Sequence, residues 1–254
     1  MAIPWSKIPY KLFEKDKKQD FRAQGYRLRI IFSGTAALEY SLTPEIWELF
    51  KETCARFDIS SPAARVDSAT ASPLDAPGVA SRTPSNWDTS SSLPYTVDCA
   101  VFRKVLLAGL QGDVLFGKRF THYEIQNTQV KAFFTDGTVG TGALLVGAYG
   151  VRSRVWKQLL PQYPFIDTGV RIIYGKTPFS GTLEQQITPN VVRGMSLAPD
   201  SDKSAPKTLL LETIRFSRRS EVTELPLPPD YIYWVLVVHR DFLPLADEET
   251  EAGP

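Results

Sequence analysis

Cysteine, histidine and methionine are all rare in this 254-residue sequence, which contains two residues of each. Cys54 and Cys99 lie far apart, without the paired spacing of a zinc site or the cysteine density of a disulfide framework. We therefore expect a protein of a reducing compartment, located in the cytoplasm. The histidines, His122 and His239, are also far apart in the sequence, and their spacing indicates no Ser-His-Asp or Cys-His arrangement and no metal site.

Net charge and long apolar runs are also lacking. The formal net charge is +1, so the overall charge gives no reason to expect a nucleic-acid partner. No apolar run approaches the ~20 residues that a membrane-spanning helix needs. The first residues, MAIPWSKIPYKLFEKD, contain no apolar core of signal-peptide length. We expect a globular protein whose partner is a small molecule, without a membrane span; its oligomeric state is left open.

Three segments have the pattern of helices. Residues 43–57, TPEIWELFKETCARF, begin with Thr43 as a helix cap and Pro44 at the first helical position. Residues 95–112 predict a second helix, with Asp98 as its cap and Gly112 as its end. Residues 151–160 predict a third, basic helix directly after a turn that contains Tyr149.

The remaining ordered segments predict strands, and together with the helices they indicate an α/β (α+β) fold. The apolar run ALLVGA at 143–148 is typical of a strand buried on both faces, and Asp136-Gly137 predicts a hairpin turn. Residues 58–95 are rich in Ser, Ala, Pro and Asp, and we expect a flexible insert there. The other predicted strands are 8–14, 26–32, 169–178, 207–217 and 230–240.

Taken in order, five pieces of the chain resemble the FAD-dependent monooxygenases of the aromatic-hydroxylase type, in particular those of fungal secondary metabolism. The pieces are IPYKLFEKD, then FRAQGYRLRI with GTAALEYSL, VFRKVLLAGL, FTDGTVGTGALLVGAYGVRSRV, and LLLETIRFS with PPDYIYWVLV. The resemblance implies an incomplete FAD-binding, Rossmann-like region over residues 1–165, which includes the insert at 58–95. It implies a substrate-type β-sheet region over 166–245, and residues 246–254 are expected to be a frayed tail.

The resemblance also implies an activity and a set of site residues. It implies hydroxylation or epoxidation of a small organic substrate, with FAD as cofactor and NADPH or NADH as reductant. The implied cofactor contacts are Glu14, at the end of a strand, together with Arg27 and Arg103. The sheet that follows residue 165 would line the substrate cavity, and it carries the substrate-binding candidates Tyr174, Arg215, Tyr233 and His239. The residues do not identify a catalytic group.

The chain departs from the family pattern at several positions. Tyr149 stands where the family's turn carries Asp, and Cys99 stands where its helix begins with Arg. The glycine motif G-x-G-x-x-G and the later G-D-A segment are both absent from the sequence. These departures predict impaired FAD binding by this chain. Two alternatives therefore stay open: a cofactor-free small-molecule binding protein or cyclase/isomerase built on the same fold, and a truncated remnant without activity.

Overall fold

The computed structural model describes residues 8–19, 26–55, 64–74, 94–110, 112–187, 189, 191, 194–200, 207–216 and 225–243. The described helices are α1 (Phe32–Ser41), α2 (Pro44–Thr53), α3 (Cys99–Leu107), α4 (Arg154–Leu159) and α5 (Gly181–Gln186). The described strands are β1 (Leu12–Phe13), β2 (Arg27–Ile30), β3 (Ala64–Arg65), β4 (Tyr95–Asp98), β5 (Val114–Leu115), β6 (Phe120–Gln126), β7 (Gln129–Phe134), β8 (Val139–Gly142), β9 (Val170–Pro178), β10 (Met195–Pro199), β11 (Thr208–Ile214) and β12 (Tyr231–His239). None of the helices in these ranges has the length and apolar character that crossing a membrane requires.

The chain divides into two units that alternate along the sequence. Unit 1 combines residues 1–23 with 109–168, and unit 2 combines residues 24–108 with 169–254. The functional boundary expected between residues 165 and 166 stays a prediction, since these units reflect compactness alone. The expected tail at 246–254 lies outside the described residues.

Unit 1 contains a parallel pair of short strands and a three-stranded antiparallel sheet. Strand β1 pairs with β5, and the sheet has the order β6-β7-β8. The predicted turn at Asp136-Gly137 joins β7 to β8, and Gly137 has φ +79°, a conformation that favours glycine. Phe120, Ala132 and Phe134 form the core of this unit.

Unit 2 is built on a five-stranded sheet of order β3-β10-β11-β12-β9. The β10, β11, β12 and β9 strands are antiparallel neighbours, and β3 adds to β10 in parallel. A separate antiparallel pair, β2-β4, leads into α1 and α3. Phe50 of α2 and Val105 of α3 are fully buried in a core shared with β2 and β4.

Glycine at position 175 is required by a close approach between the two longest strands. Gly175 on β9 lies directly opposite Trp234 on β12. A Cβ atom built on Gly175 would lie 1.9 Å from a ring carbon of Trp234, far inside contact distance. The indole ring therefore occupies the space that a side chain at position 175 would need, which helps to define the register of this strand pair.

The helix predictions are confirmed in position and corrected in length. Helix α2 begins at Pro44, and the hydroxyl of Thr43 accepts a hydrogen bond from the Ile46 amide, as expected of a cap. The predicted helix over 95–112 is wrong in extent, because Tyr95–Asp98 is a strand and the helix ends at Leu107. The β-pairing of residues 95–98 with β2 overrides their local pattern.

The apolar run at 143–148 is not a strand, which corrects the strongest strand prediction. Within the described residues no strand pairs with it, and an extended segment without a ladder partner is not a β-strand. Leu145 packs against the unit 1 core, whereas Leu144 and Val146 are 80% and 75% exposed. The expected burial on both faces is therefore wrong in this structure.

Two other predictions hold only in part. The insert over 58–95 contains β3, which pairs with Ser196 and Leu197 of β10, so this part is not a loop; residues 75–93 lie outside the described residues. The strand expected at 8–14 is reduced to Leu12–Phe13, because β5 offers only two residues as partners. The other predicted strands are confirmed within a few residues.

Candidate cofactor and substrate sites

The first candidate site lies at the carboxyl ends of the parallel strands of unit 1. Glu14 follows β1 directly, and its amide donates to the Leu115 carbonyl at 2.9 Å. Its carbonyl accepts from the Lys118 amide at 2.8 Å, so the segments after β1 and β5 run together. One carboxylate oxygen of Glu14 accepts from the Asp16 amide at 3.0 Å. Nucleotides bind at the carboxyl ends of parallel strands, so this position is compatible with the expected contact of Glu14 with a ribose, which stays a prediction.

Tyr149 lies near this edge, in the turn that precedes α4. It stands immediately before Gly150, whose φ of +68° is a conformation that favours glycine. The Tyr149 hydroxyl donates to the Lys118 carbonyl at 3.4 Å. Burial and then the negative charge of Glu14 raise the pKa of this phenol, which places the two groups in one electrostatic neighbourhood. Tyr149 is therefore a neutral hydrogen-bonding group at a turn where the resemblance implies a carboxylate.

These residues fit one part of FAD. The Glu14 carboxylate can accept hydrogen bonds from the two hydroxyls of a ribose. A pyrophosphate needs a glycine-rich helix start, and the sequence contains no G-x-G-x-x-G. Within the described ranges the site therefore offers a contact for the ribose and no cradle for the phosphates.

A buried ion cluster forms the centre of the second candidate site, in unit 2. Arg27 and Arg29 point to the same side of β2, and each guanidinium pairs with a different carboxylate oxygen of Glu212 on β11. Glu212 is only 4% exposed, so its charge depends on these two partners. Sequence patterns do not indicate Glu212, because an acidic residue inside an apolar strand has no local signature. The predicted contact of Arg27 with FAD stays a prediction.

A row of tyrosines adjoins this cluster. The rings of Tyr26 and Tyr174 are stacked with centroids 5.2 Å apart, and those of Tyr174 and Tyr233 are 6.0 Å apart. The guanidinium carbon of Arg27 lies 5.4 Å from the centre of the Tyr233 ring. Burial raises the pKa of Tyr233, so this phenol is neutral. Two of the four substrate-side candidates, Tyr174 and Tyr233, are thus brought together.

The other sequence candidates are placed elsewhere. Arg215 pairs with Glu184 at 2.7 Å beyond the end of β11, and His239 lies within 2.9 Å of Asp241 at the far end of β12. His239 is six residues from Tyr233 along one strand, which is about 20 Å. Arg103 lies on α3 and is partly buried. Their proposed roles stay predictions.

Asp98 connects three elements of unit 2, of which the sequence indicated only one. Its carboxylate caps α3 by accepting from the Ala100 and Val101 amides at 3.0 and 3.4 Å. The second oxygen accepts from the Lys176 ammonium at 2.5 Å and from the Tyr231 hydroxyl at 3.0 Å. Burial and the charge of Asp98 raise the pKa of Tyr231. Asp98 therefore ties α3 to β9 and β12 in addition to capping its own helix.

Neither cysteine is activated. Burial raises the pKa of the Cys54 thiol to about 12, and burial followed by the Asp98 charge raises that of Cys99 to about 11. The Cys54 thiol also donates to the Phe50 carbonyl at 3.1 Å. Both thiols are protonated near neutral pH, and nucleophilic catalysis requires the thiolate.

The raised pKa of Cys54 predicts a loss of stability in alkali. The unfolded thiol ionises above pH 9.0, whereas the folded thiol holds its proton until about pH 12, so the unfolded state gains stability as the pH rises between these values. The free energy of unfolding therefore falls by about 2 kcal/mol between pH 9.0 and about pH 10.5. We expect urea unfolding at pH 8 and at that higher pH to show this loss, and Cys54→Ala to reduce the difference by the same amount. A variant as pH-sensitive as the parent would contradict the assignment.

Comparisons with known proteins identify relatives of this chain. The chain is 36% identical to a dual O-methyltransferase/FAD-dependent monooxygenase, elcB, of Phaeosphaeria nodorum, over 92% of this chain and 26% of the relative. It is 32% identical to the similarly named CTB3 of Cercospora nicotianae, over 93% of this chain and 28% of the relative. The chain therefore spans about a quarter of the length of these relatives. No protein-family model matches the sequence.

A solved structure shows the same fold. A protein of Photorhabdus luminescens assigned to the FAD-containing monooxygenases superposes with a TM-score of 0.68 at 23% identity, covering 95% of this chain and 58% of that one. The α/β fold class inferred from the sequence is confirmed by this likeness. The resemblance stated from the five sequence pieces is confirmed by the fungal relatives.

Proposed function

We propose that this chain contributes a ribose contact and an aromatic wall, formed by the stacked rings of Tyr26, Tyr174 and Tyr233, to a FAD-dependent monooxygenase. The chain is homologous to FAD-dependent monooxygenases of fungi over more than nine-tenths of its length. The reaction class is hydroxylation or epoxidation of a small organic substrate, with NADPH or NADH as reductant. The proposal concerns the monooxygenase part of the relatives' names, because the solved structure with this fold is also assigned to that class. A cytoplasmic location stays a prediction from the cysteine content.

The placement of Glu14 is the observation that carries the proposal. A carboxylate at the carboxyl end of a parallel strand, with the next parallel strand hydrogen-bonded beside it, is suited to accept the ribose hydroxyls of a dinucleotide. FAD, when bound, supplies the oxidation chemistry, and the protein supplies binding and orientation. Each charged hydrogen bond from Glu14 contributes about 1.5–3 kcal/mol.

The unit 2 wall supports the substrate part of the proposal. Tyr26 and Tyr174 are each about half exposed and stack in a row with Tyr233, so the outer aromatic surface of this row is open to a ligand. The buried Arg27–Glu212 pair holds the far side of Tyr233 in place. Small-molecule sites are built in this way, from aromatic side chains with few polar groups. We assign Tyr174 to direct substrate contact and Tyr233, which is 4% exposed, to substrate binding as the ring that supports Tyr174.

We expect FAD binding by this chain to be saturable and weak, because Glu14 is suited to contact the ribose and the residues that the structure describes include no glycine-rich helix start for the phosphates. Flavin fluorescence and thermal melting of the purified chain, titrated with FAD, measure this. Glu14→Gln should lower the affinity about tenfold or more, since it removes charged hydrogen bonds. Glu124→Gln changes an exposed glutamate of the same unit and should leave the affinity unchanged.

Two outcomes would overturn the proposal. A folded chain that shows no FAD binding at any accessible concentration contradicts a flavin role for this chain. Equal affinities of the parent and the Glu14→Gln variant contradict the assignment of the ribose site to Glu14. The substrate-binding role of the aromatic wall has its own test. Tyr174→Ala should weaken the binding of flat phenolic probes without changing the affinity for FAD.

A further inference from the structure

The outer edge of the unit 2 sheet has the properties of a self-pairing surface. Strand β9 is nine residues long, and it pairs along its whole length with β12 on one side. Among the described residues no strand pairs with its other side. A long edge strand is a ready template for another strand unless charges, proline or a bulge protect it.

The hydrogen-bond pattern shows which residues of β9 face outward. The Gly169 carbonyl accepts from the Arg240 amide, and the Phe179 amide donates to the Asp230 carbonyl. In an antiparallel pair the residues alternate between those that exchange bonds and those that do not, so the odd-numbered residues of β9 face β12. Ile172 and Tyr174 therefore direct their amides and carbonyls to the outer edge.

The side chains of these same residues form an apolar stripe. Ile172 is 46% exposed and Tyr174 is 47% exposed, and they lie on one face of the strand. In an antiparallel pair of two β9 strands centred on Ile173, each Ile172 lies opposite the Tyr174 of the other copy. Aromatic and β-branched residues are favourable cross-strand neighbours.

The charges of β9 and Pro178 at its end are features that can protect an edge, but they do not oppose this register. Arg171 would face Gly175 of the second copy, and Lys176 would face Val170. No two like charges are placed opposite each other, which is the arrangement that disfavours a strand pair. Two copies paired in this way are related by a two-fold axis at Ile173. Because each copy uses the same edge, the assembly is complete with two copies.

We propose that β9 is an interface through which two copies of this chain associate by edge-to-edge pairing, centred on Ile173. The contact is small and built mostly from backbone hydrogen bonds, so the dimer dissociates on dilution. Sedimentation of the full chain over a range of concentrations should show a monomer converting to a dimer, without larger species.

Ile172→Pro is the decisive variant. Proline removes the outward amide and is tolerated on an edge strand, whereas the odd-numbered residues keep their bonds to β12. We expect a folded monomer at every concentration, with the circular dichroism of the parent. The control is Ile166→Lys, a change at a residue that is 87% exposed outside β9, and this variant should dimerise as the parent does.

A cross-linking measurement tests the register. Ile173 would face its own copy in a non-hydrogen-bonded pair, where the Cα atoms are close enough for a disulfide. Under mild oxidation I173C should form a covalent dimer, and T177C on the same strand should not. A parent chain that stays monomeric, an Ile172→Pro variant that dimerises like the parent, equal cross-linking of the two cysteine variants, or open-ended aggregates would each overturn the proposal.

Discussion

Replacing Glu212 with alanine is expected to lower the free energy of unfolding by about 3–5 kcal/mol, because two buried guanidiniums lose the carboxylate that they share. Arg27 and Arg29 are mostly buried on β2, and each is paired with one oxygen of the Glu212 carboxylate. Removing one partner from a buried ion cluster leaves charges that water does not compensate. Equilibrium unfolding in urea, followed by circular dichroism, measures the change.

The control for Glu212 is another glutamate–arginine pair of the same chain. Glu184 and Arg215 lie 2.7 Å apart, and both side chains are substantially exposed. Such pairs contribute about 0–1 kcal/mol, so Glu184→Ala should have a small effect. Glu212→Gln keeps the shape and loses the charge, and we expect it to be almost as destabilising as alanine. Equal losses of stability in Glu184→Ala and Glu212→Ala would show that the buried cluster contributes no more to stability than an exposed ion pair.

Replacing Asp98 with alanine is expected to have a comparable effect, about 3–5 kcal/mol, because this carboxylate is buried and serves three elements at once. The change removes the cap of α3 and leaves the Tyr231 hydroxyl and the Lys176 ammonium without their acceptor. Urea unfolding again gives the magnitude. Asp98→Asn separates the functions, since asparagine caps helices as well as aspartate but carries no charge.

The matched control for Asp98 is Ser180, which caps α5 at the surface through its hydroxyl and the Leu183 amide. Ser180→Ala should cost about 1 kcal/mol, the usual value of a cap alone. Tyr231→Phe should lower the free energy of unfolding by about 1–2 kcal/mol, because this variant loses a single hydrogen bond to Asp98. An Asp98→Ala variant no less stable than Ser180→Ala would mean that the bonds to β9 and β12 contribute nothing.

Local sequence patterns were sufficient where the relevant interactions are local. The cap at Thr43, the turn at Asp136-Gly137 and the continuous apolar run of β12 each depend on residues a few positions apart. The strand end at Glu14 was recognised by its resemblance to a known family, and the relatives agree with that family. The fold class followed from the order of these elements.

Other features depend on which segments meet in space. Glu212 has no local signature, and it becomes the centre of a site because β11 passes beside β2. The resemblance implies a substrate-binding role for Arg215 and His239 as it does for Tyr174 and Tyr233. Strand direction and length place Arg215 and His239 away from the two tyrosines.

By itself, therefore, the sequence determined the type and order of most elements and the family to which they are related, since these follow from short-range propensities and from inherited pattern. Only the tertiary structure decided that no described strand pairs with 143–148 or with the outer side of β9, and that Asp98 links α3 to the sheet. The physical reason is that hydrogen-bond partners and buried charges belong to pairs of distant segments, and a one-dimensional pattern contains neither.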